Sequence, residues 1–122
     1  MISLKSTLAK PFAKLVYCQI QKWANKPFET QQKVFEELIS KAAETKFGRD
    51  HDFIGINSFS DFIKRVPIRD YEDLKPYVEQ VVAGEENVLW PGKPIYFAKT
   101  SGTTSGSKYI PITKESMPYH IE

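Results

Sequence analysis

The sequence predicts an α/β chain over residues 1–122, mostly helical to about residue 86. Short β-strands flanking a Ser/Thr/Gly loop and the start of another helix follow over residues 87–122. Three observations carry this reading. Apolar residues recur at spacings of three and four through the first two thirds of the chain. β-prone aliphatic and aromatic runs then replace them, separated by the turn cluster Pro91-Gly92-Lys93-Pro94. The last two of these runs enclose a stretch built almost wholly from Ser, Thr and Gly. Two short strands are not independently stable without further cover, so the chain reads as the N-terminal piece of a larger α/β protein. A small helical domain with an appended hairpin is the alternative.

Taken in order, Phe12, Leu15, Val16, Ile20 and Trp23 mark one face of a first helix, with Pro11 expected in its first turn. Residues 4–10 fit either a preceding helical turn or a frayed arm. A second helix starts between Pro27 and Thr30, with Glu29 suited to the dipole of its first turn. Val34, Leu38 and Ala42 form one row on it, and Phe35, Ile39, Ala43 and Phe47 the next. Gly48 is expected to end it in a left-handed conformation. The Phe12–Trp23 stripe is expected to pack against this helix, with Cys18 as a packed thiol. Residues 49–57 read as a loop. Ser58 caps a short helix through Lys64, and Val66-Pro67-Ile68 breaks it. Asp70 caps another, its stripe running from Leu74 to Ala83 and ending at Gly84, with a kink or a division expected at Pro76. Val88-Leu89-Trp90, Ile95-Tyr96-Phe97-Ala98 and Tyr109-Ile110-Pro111-Ile112 are the β-prone runs. Thr113 is placed to cap the last helix.

Composition narrows the function classes. The chain has 122 residues, of which 41% are hydrophobic and 26% charged, as in an ordinary soluble globular domain. A net charge of +2 is too mild to argue for nucleic acid or an acidic membrane surface. The single cysteine, Cys18, cannot staple the chain internally, and no Cys/His spacing suits zinc. A metal site is not expected and a cytoplasmic location is. No apolar run reaches the length of a membrane span, and no small-residue cleavage pattern follows the N-terminal lysines.

The chemistry-bearing feature is Thr100-Ser101-Gly102-Thr103-Thr104-Ser105-Gly106-Ser107-Lys108. Glycines let backbone N–H groups converge on an anion, hydroxyls donate to phosphate oxygens, and Lys108 adds a compact cation. Composition alone equally describes a flexible linker. The flanking β-prone runs anchor the ends, and the lysine stands immediately before the second of them. The loop is not a Walker A motif. Gly102 and Gly106 are separated by three residues rather than four, Ser107 precedes Lys108, and Tyr109 stands where a magnesium-binding hydroxyl would be. It does not fit the GxGxxG pattern either.

Residues Phe97 to Lys108 resemble the first ATP-binding motif of the acyl-adenylate-forming superfamily. With Val66-Pro67-Ile68-Arg69-Asp70-Tyr71-Glu72-Asp73-Leu74-Lys75-Pro76-Tyr77-Val78 upstream and Tyr109-Ile110-Pro111-Ile112-Thr113 downstream, the chain resembles the GH3 auxin-responsive promoter family from about residue 30 onward. Phe47-Gly48-Arg49-Asp50-His51-Asp52-Phe53 is similar to an early loop of that family. The resemblance implies an adenylate-forming ligase fold and an acyl acid–amido synthetase. A carboxylic acid attacks the α-phosphorus of ATP, and an amine or amino acid then displaces AMP. ATP and Mg2+ are the implied cofactors. Thr100, Ser101, Gly102, Thr103, Thr104, Ser105, Gly106 and Lys108 are the implied ATP-binding residues, and no catalytic residue is assigned. The family's adenine, acyl and amine motifs are expected beyond residue 122, so amide synthesis is not expected of these residues alone.

Other candidates have plainer explanations. His51 and Asp52 fit an acid–base pair, but Arg49, Asp50 and His51 also suit the capping of a helix end. Glu72 and Asp73 suit a first-turn dipole role better than a paired-carboxylate site. Lys75 reads as surface. A non-catalytic helical module with an anion-binding loop remains the second functional reading.

Overall fold

The structure, a computed structural model, describes residues 4–100 and 106–120, with side chains from Ala9 onward. It divides into two compact units, Met1–Phe35 and Glu36–Glu122. In the first, helix α1 (Leu4–Ala24) runs through Pro11 rather than starting there, which resolves residues 4–10 as helix. The turn that follows is closed by Lys26 N–H donating to Trp23 O at 3.1 Å, and helix α2 (Pro27–Ala42) begins with Glu29 in its first turn. The expected packing of the α1 stripe is not found. Phe12, Leu15 and Trp23 are 70%, 67% and 54% exposed, and Cys18 is exposed too. Periodicity marks the face a helix could bury but says nothing about what covers it.

In the second unit the core gathers Ile39, Ala42, Phe53, Ile56, Val78, Val81 and Val88. Helix α3 (Lys46–Asp50) is a separate helix that runs into the expected 49–57 loop, and Gly48 sits inside it rather than ending α2. A Cβ on Gly48 would lie 2.0 Å from the Ala42 carbonyl oxygen, so glycine serves close approach here and not a left-handed turn. Thr45, almost fully buried, caps α3: its Oγ1 accepts from Gly48 N–H at 3.0 Å and donates to Ala42 O at 2.7 Å. The two other orphan donors at this helix start, Lys46 N–H and Phe47 N–H, reach Asn87 O at 2.8 Å and Val88 O at 2.9 Å.

That last pairing explains why Val88-Leu89-Trp90 is not a strand. The Val88 carbonyl caps α3 together with that of Asn87, and residues 87–92 fold on themselves. Asn87, at φ 55, accepts from Gly92 N–H through Oδ1 at 2.8 Å and donates its own N–H to Gly92 O at 3.2 Å. A 3-10 turn at Phe53–Gly55 leads to α4 (Phe59–Arg65), which Ser58 caps as predicted, its Oγ accepting from Asp61 N–H at 3.1 Å. Helix α5 (Tyr71–Val82) is capped by Asp70, continues through Pro76 as one element instead of dividing, and is followed by Gly84 at φ +100.

Strands β1 (Pro94–Thr100) and β2 (Lys108–Thr113) pair antiparallel, with Phe97 opposite Pro111 and Thr100 opposite Lys108. The predicted strand–loop–strand is therefore a hairpin, and α5 packs against β2. Thr113 does not cap an α-helix. Its Oγ1 accepts from Ser116 N–H at 3.0 Å in a buried turn that leads to a 3-10 turn at Met117–Tyr119. Tyr119 then reaches back to α2, donating to Glu37 Oε1 at 2.6 Å. The fold is thus mostly helical with one small sheet.

Candidate functional site

The predicted phosphate loop divides between described residues and the rest. Ser101, Gly102, Thr103, Thr104 and Ser105 lie outside the described residues. Thr100 closes β1, and Lys108 opens β2 directly opposite it, so the hairpin brings the two ends of the loop together. Gly106 has φ +78, a backbone that other residues rarely adopt, just before the strand resumes.

The stem is held from α5. Tyr71, the first residue of that helix, accepts a hydrogen bond from Tyr109 N–H through its hydroxyl oxygen at 2.9 Å. Its ring lies beneath the Lys108 ammonium, 5.6 Å from Nζ to the centroid. The helix start that positions Tyr71 is itself fixed by Asp70, whose Oδ1 accepts from Asp73 N–H at 3.0 Å. Phe97 meets Tyr109 edge-on at 6.4 Å from the neighbouring strand. Beside this stem, Tyr71, Lys75, Val78, Val82, Ser107 and Tyr109 line an open cleft of ≈ 250 Å³. Glu72 and Lys75 on its rim pair at 3.4 Å, both exposed. In the sequence the loop's composition marks Lys108, whereas Tyr71 stands there only as part of the Val66–Val78 stretch. The available signal was its place directly after a capping aspartate.

The His51–Asp52 acid–base pair does not form. Asp52, at φ 49, pairs with Arg65 at 2.9 Å. His51 is buried, its ring stacked on Phe47 at 4.2 Å, and both ring nitrogens have partners. Arg69 can only donate, so the 3.0 Å contact to Nε2 makes that nitrogen an acceptor. Nδ1 then carries the proton and donates to Phe47 O at 2.8 Å. Alongside, Asp50 Oδ2 accepts from Lys46 Nζ at 2.7 Å and from the Tyr77 hydroxyl at 2.9 Å. The Lys46 bond, followed by the Tyr77 bond, holds the Asp50 carboxyl below the usual carboxylate range. Burial, then the bond to Asp50, pushes the Tyr77 phenol up, while Arg69 opposes this. These residues fasten α3 to α5 and to the segment between α4 and α5. Among the described residues, no group of three or more His, Cys, Asp or Glu side chains could hold a metal ion. Nor is any helix there long and apolar enough to cross a membrane.

The model of the GH3 family N-terminal domain matches residues 16–121, nearly the whole chain. The chain belongs to the GH3 family. Over 95 residues this GH3 chain is 34% identical to the indole-3-acetic acid-amido synthetase GH3.15 of Arabidopsis thaliana, covering 76% of the chain and 16% of that protein. Over 91 residues it is 30% identical to GH3.5 of the same plant, covering 73% of the chain and 15% of that synthetase. It is also 34% identical over 91 residues to the jasmonoyl–L-amino acid synthetase JAR6 of Nicotiana attenuata, covering 70% and 16%. The chain thus spans about one sixth of the length of these relatives.

Proposed function

We propose that this GH3 chain is the N-terminal part of an ATP-dependent acyl acid–amido synthetase and contributes its ATP-phosphate loop. The whole protein adenylates a small carboxylic acid, releasing pyrophosphate, and passes the acyl group to an amine or amino acid with release of AMP. It works in the cytoplasm. The relatives named as amido synthetases support the reaction class. The observation that carries the loop's role is the hairpin, which sets Lys108 opposite Thr100 at the mouth of the Ser/Thr/Gly stretch. Charge accumulates on the phosphate oxygens as pyrophosphate leaves. Fixed donors stabilise it without reorganising, which suits a glycine- and hydroxyl-rich stretch followed by a lysine. Backbone and hydroxyl donors of residues 100–106 grip the phosphates, and Lys108 neutralises them. A magnesium ion, implied by the family resemblance, would share that charge.

Titrating MgATP into the isotope-labelled 122-residue chain tests the loop. Resonances of residues 100–108 are expected to move, and Lys108→Ala is expected to weaken the response about tenfold, as loss of a charge-assisted contact does. Gly102→Val is expected to weaken it as well. Equal affinity in all three proteins would sink the phosphate-loop reading.

A further inference from the structure

The geometry points to Tyr71 as the positioning residue of the phosphate lysine, holding Lys108 and the first backbone of β2 through two separate contacts. The inference rests on the loop's proposed role and extends it to a residue in another element.

The two contacts differ in kind. The hydroxyl oxygen takes the Tyr109 N–H at 2.9 Å, which fixes the backbone directly after Lys108. The ring lies 5.6 Å from the Lys108 ammonium, which biases the side chain toward one side of the strand. Lys108 is half-buried although lysine is ordinarily a solvated point charge on a flexible stem. A lysine free to sample its rotamers must lose that freedom when it meets a phosphate. One already laid across an aromatic face has lost part of it in advance. Tyr71 is suited to the task because it belongs to a different element from the hairpin: it begins α5, and Asp70 caps that helix start. Glu72 and Lys75 pair with each other on the cleft rim. Tyr71 itself touches no phosphate in this scheme. It acts through Lys108 and through the strand.

Two substitutions separate the contacts. Tyr71→Phe keeps the ring and removes the hydrogen bond, whereas Tyr71→Leu removes both. Each is made in the 122-residue chain, with folding checked by circular dichroism and with MgATP as the probe. Before nucleotide is added, the Lys108 side-chain protons are expected to carry an upfield ring-current shift in the wild type and in Tyr71→Phe, and to lose it in Tyr71→Leu. The Tyr109 amide is expected to exchange faster in both variants. Tyr71→Phe is expected to weaken MgATP binding about fivefold, the worth of one hydrogen bond, and Tyr71→Leu further. Wild-type MgATP affinity in Tyr71→Leu, or an unshifted Lys108 in the wild type, overturns the inference while leaving the phosphate loop standing. Absence of any MgATP response in the wild type overturns both. Should Tyr71→Leu fail to fold, Tyr71→Phe decides: unchanged affinity and unchanged Tyr109 exchange count against the inference.

Discussion

Two residues behave against their ordinary chemistry, and both give sharp expectations. Alanine for glycine inside a helix usually stabilises by about 0.5–1 kcal/mol, because glycine has more chain entropy to lose. At Gly48 the sign is expected to reverse. The added Cβ meets the carbonyl oxygens of Ala42 at 2.0 Å and Ala43 at 2.8 Å, which are backbone and cannot turn away. Gly48→Ala is expected to cost about 3 kcal/mol, read as a lower urea midpoint. Asp50 gives a pH dependence. Its folded pKa lies below the unfolded one, so its contribution is present above the unfolded value and is lost as pH falls through the folded value. Asp50→Asn keeps the acceptor for Lys46 and Tyr77 but removes the charge. The wild type is therefore expected to unfold at higher urea than the variant at about pH 6, and the gap to close by about pH 2. A gap that persists in acid would assign the effect to packing.

Among the elements, the local signals were legible and the tertiary ones were not. Ser58 and Asp70 cap α4 and α5 as their side chains predict, because a cap is decided within four residues. The strands beside the loop also follow from composition. Residues 43–48 and 88–90 did not, and they fail together: the carbonyls of Asn87 and Val88 satisfy the start of α3 across forty residues of sequence. A β-prone run cannot announce that its hydrogen bonds are committed elsewhere. The candidate site shows the same division. Its lysine and glycines stand in one legible stretch, whereas Tyr71 comes to them only through the packing of α5 on β2. Thr45 is the test of the α3 junction. Its hydroxyl serves Gly48 N–H and Ala42 O in a site with almost no solvent, so Thr45→Ala is expected to lower stability by about 2 kcal/mol with an unchanged urea slope. Thr45→Ser, which keeps the hydroxyl, is expected to recover most of it.

For the whole molecule the question is how much of the proposed reaction these 122 residues could carry. Adenylating a carboxylate requires a pocket that encloses the acid beside the α-phosphorus and excludes water, since an acyl-adenylate exposed to solvent hydrolyses. The cleft beside Lys108 is ≈ 250 Å³ and open, smaller than the roughly 300–1,000 Å³ of pockets that bury a small ligand. The relatives are about six times longer than the part matched, which leaves ample chain to build such walls. Phosphate contact and catalysis should therefore separate: the 122-residue chain is expected to respond to MgATP through Lys108 yet to exchange labelled pyrophosphate into ATP no faster than buffer, with indole-3-acetate or jasmonate as the acid. Exchange well above that background, abolished by Lys108→Ala, would mean that the acid pocket lies within these residues and that the cleft between α5 and β2 is its wall.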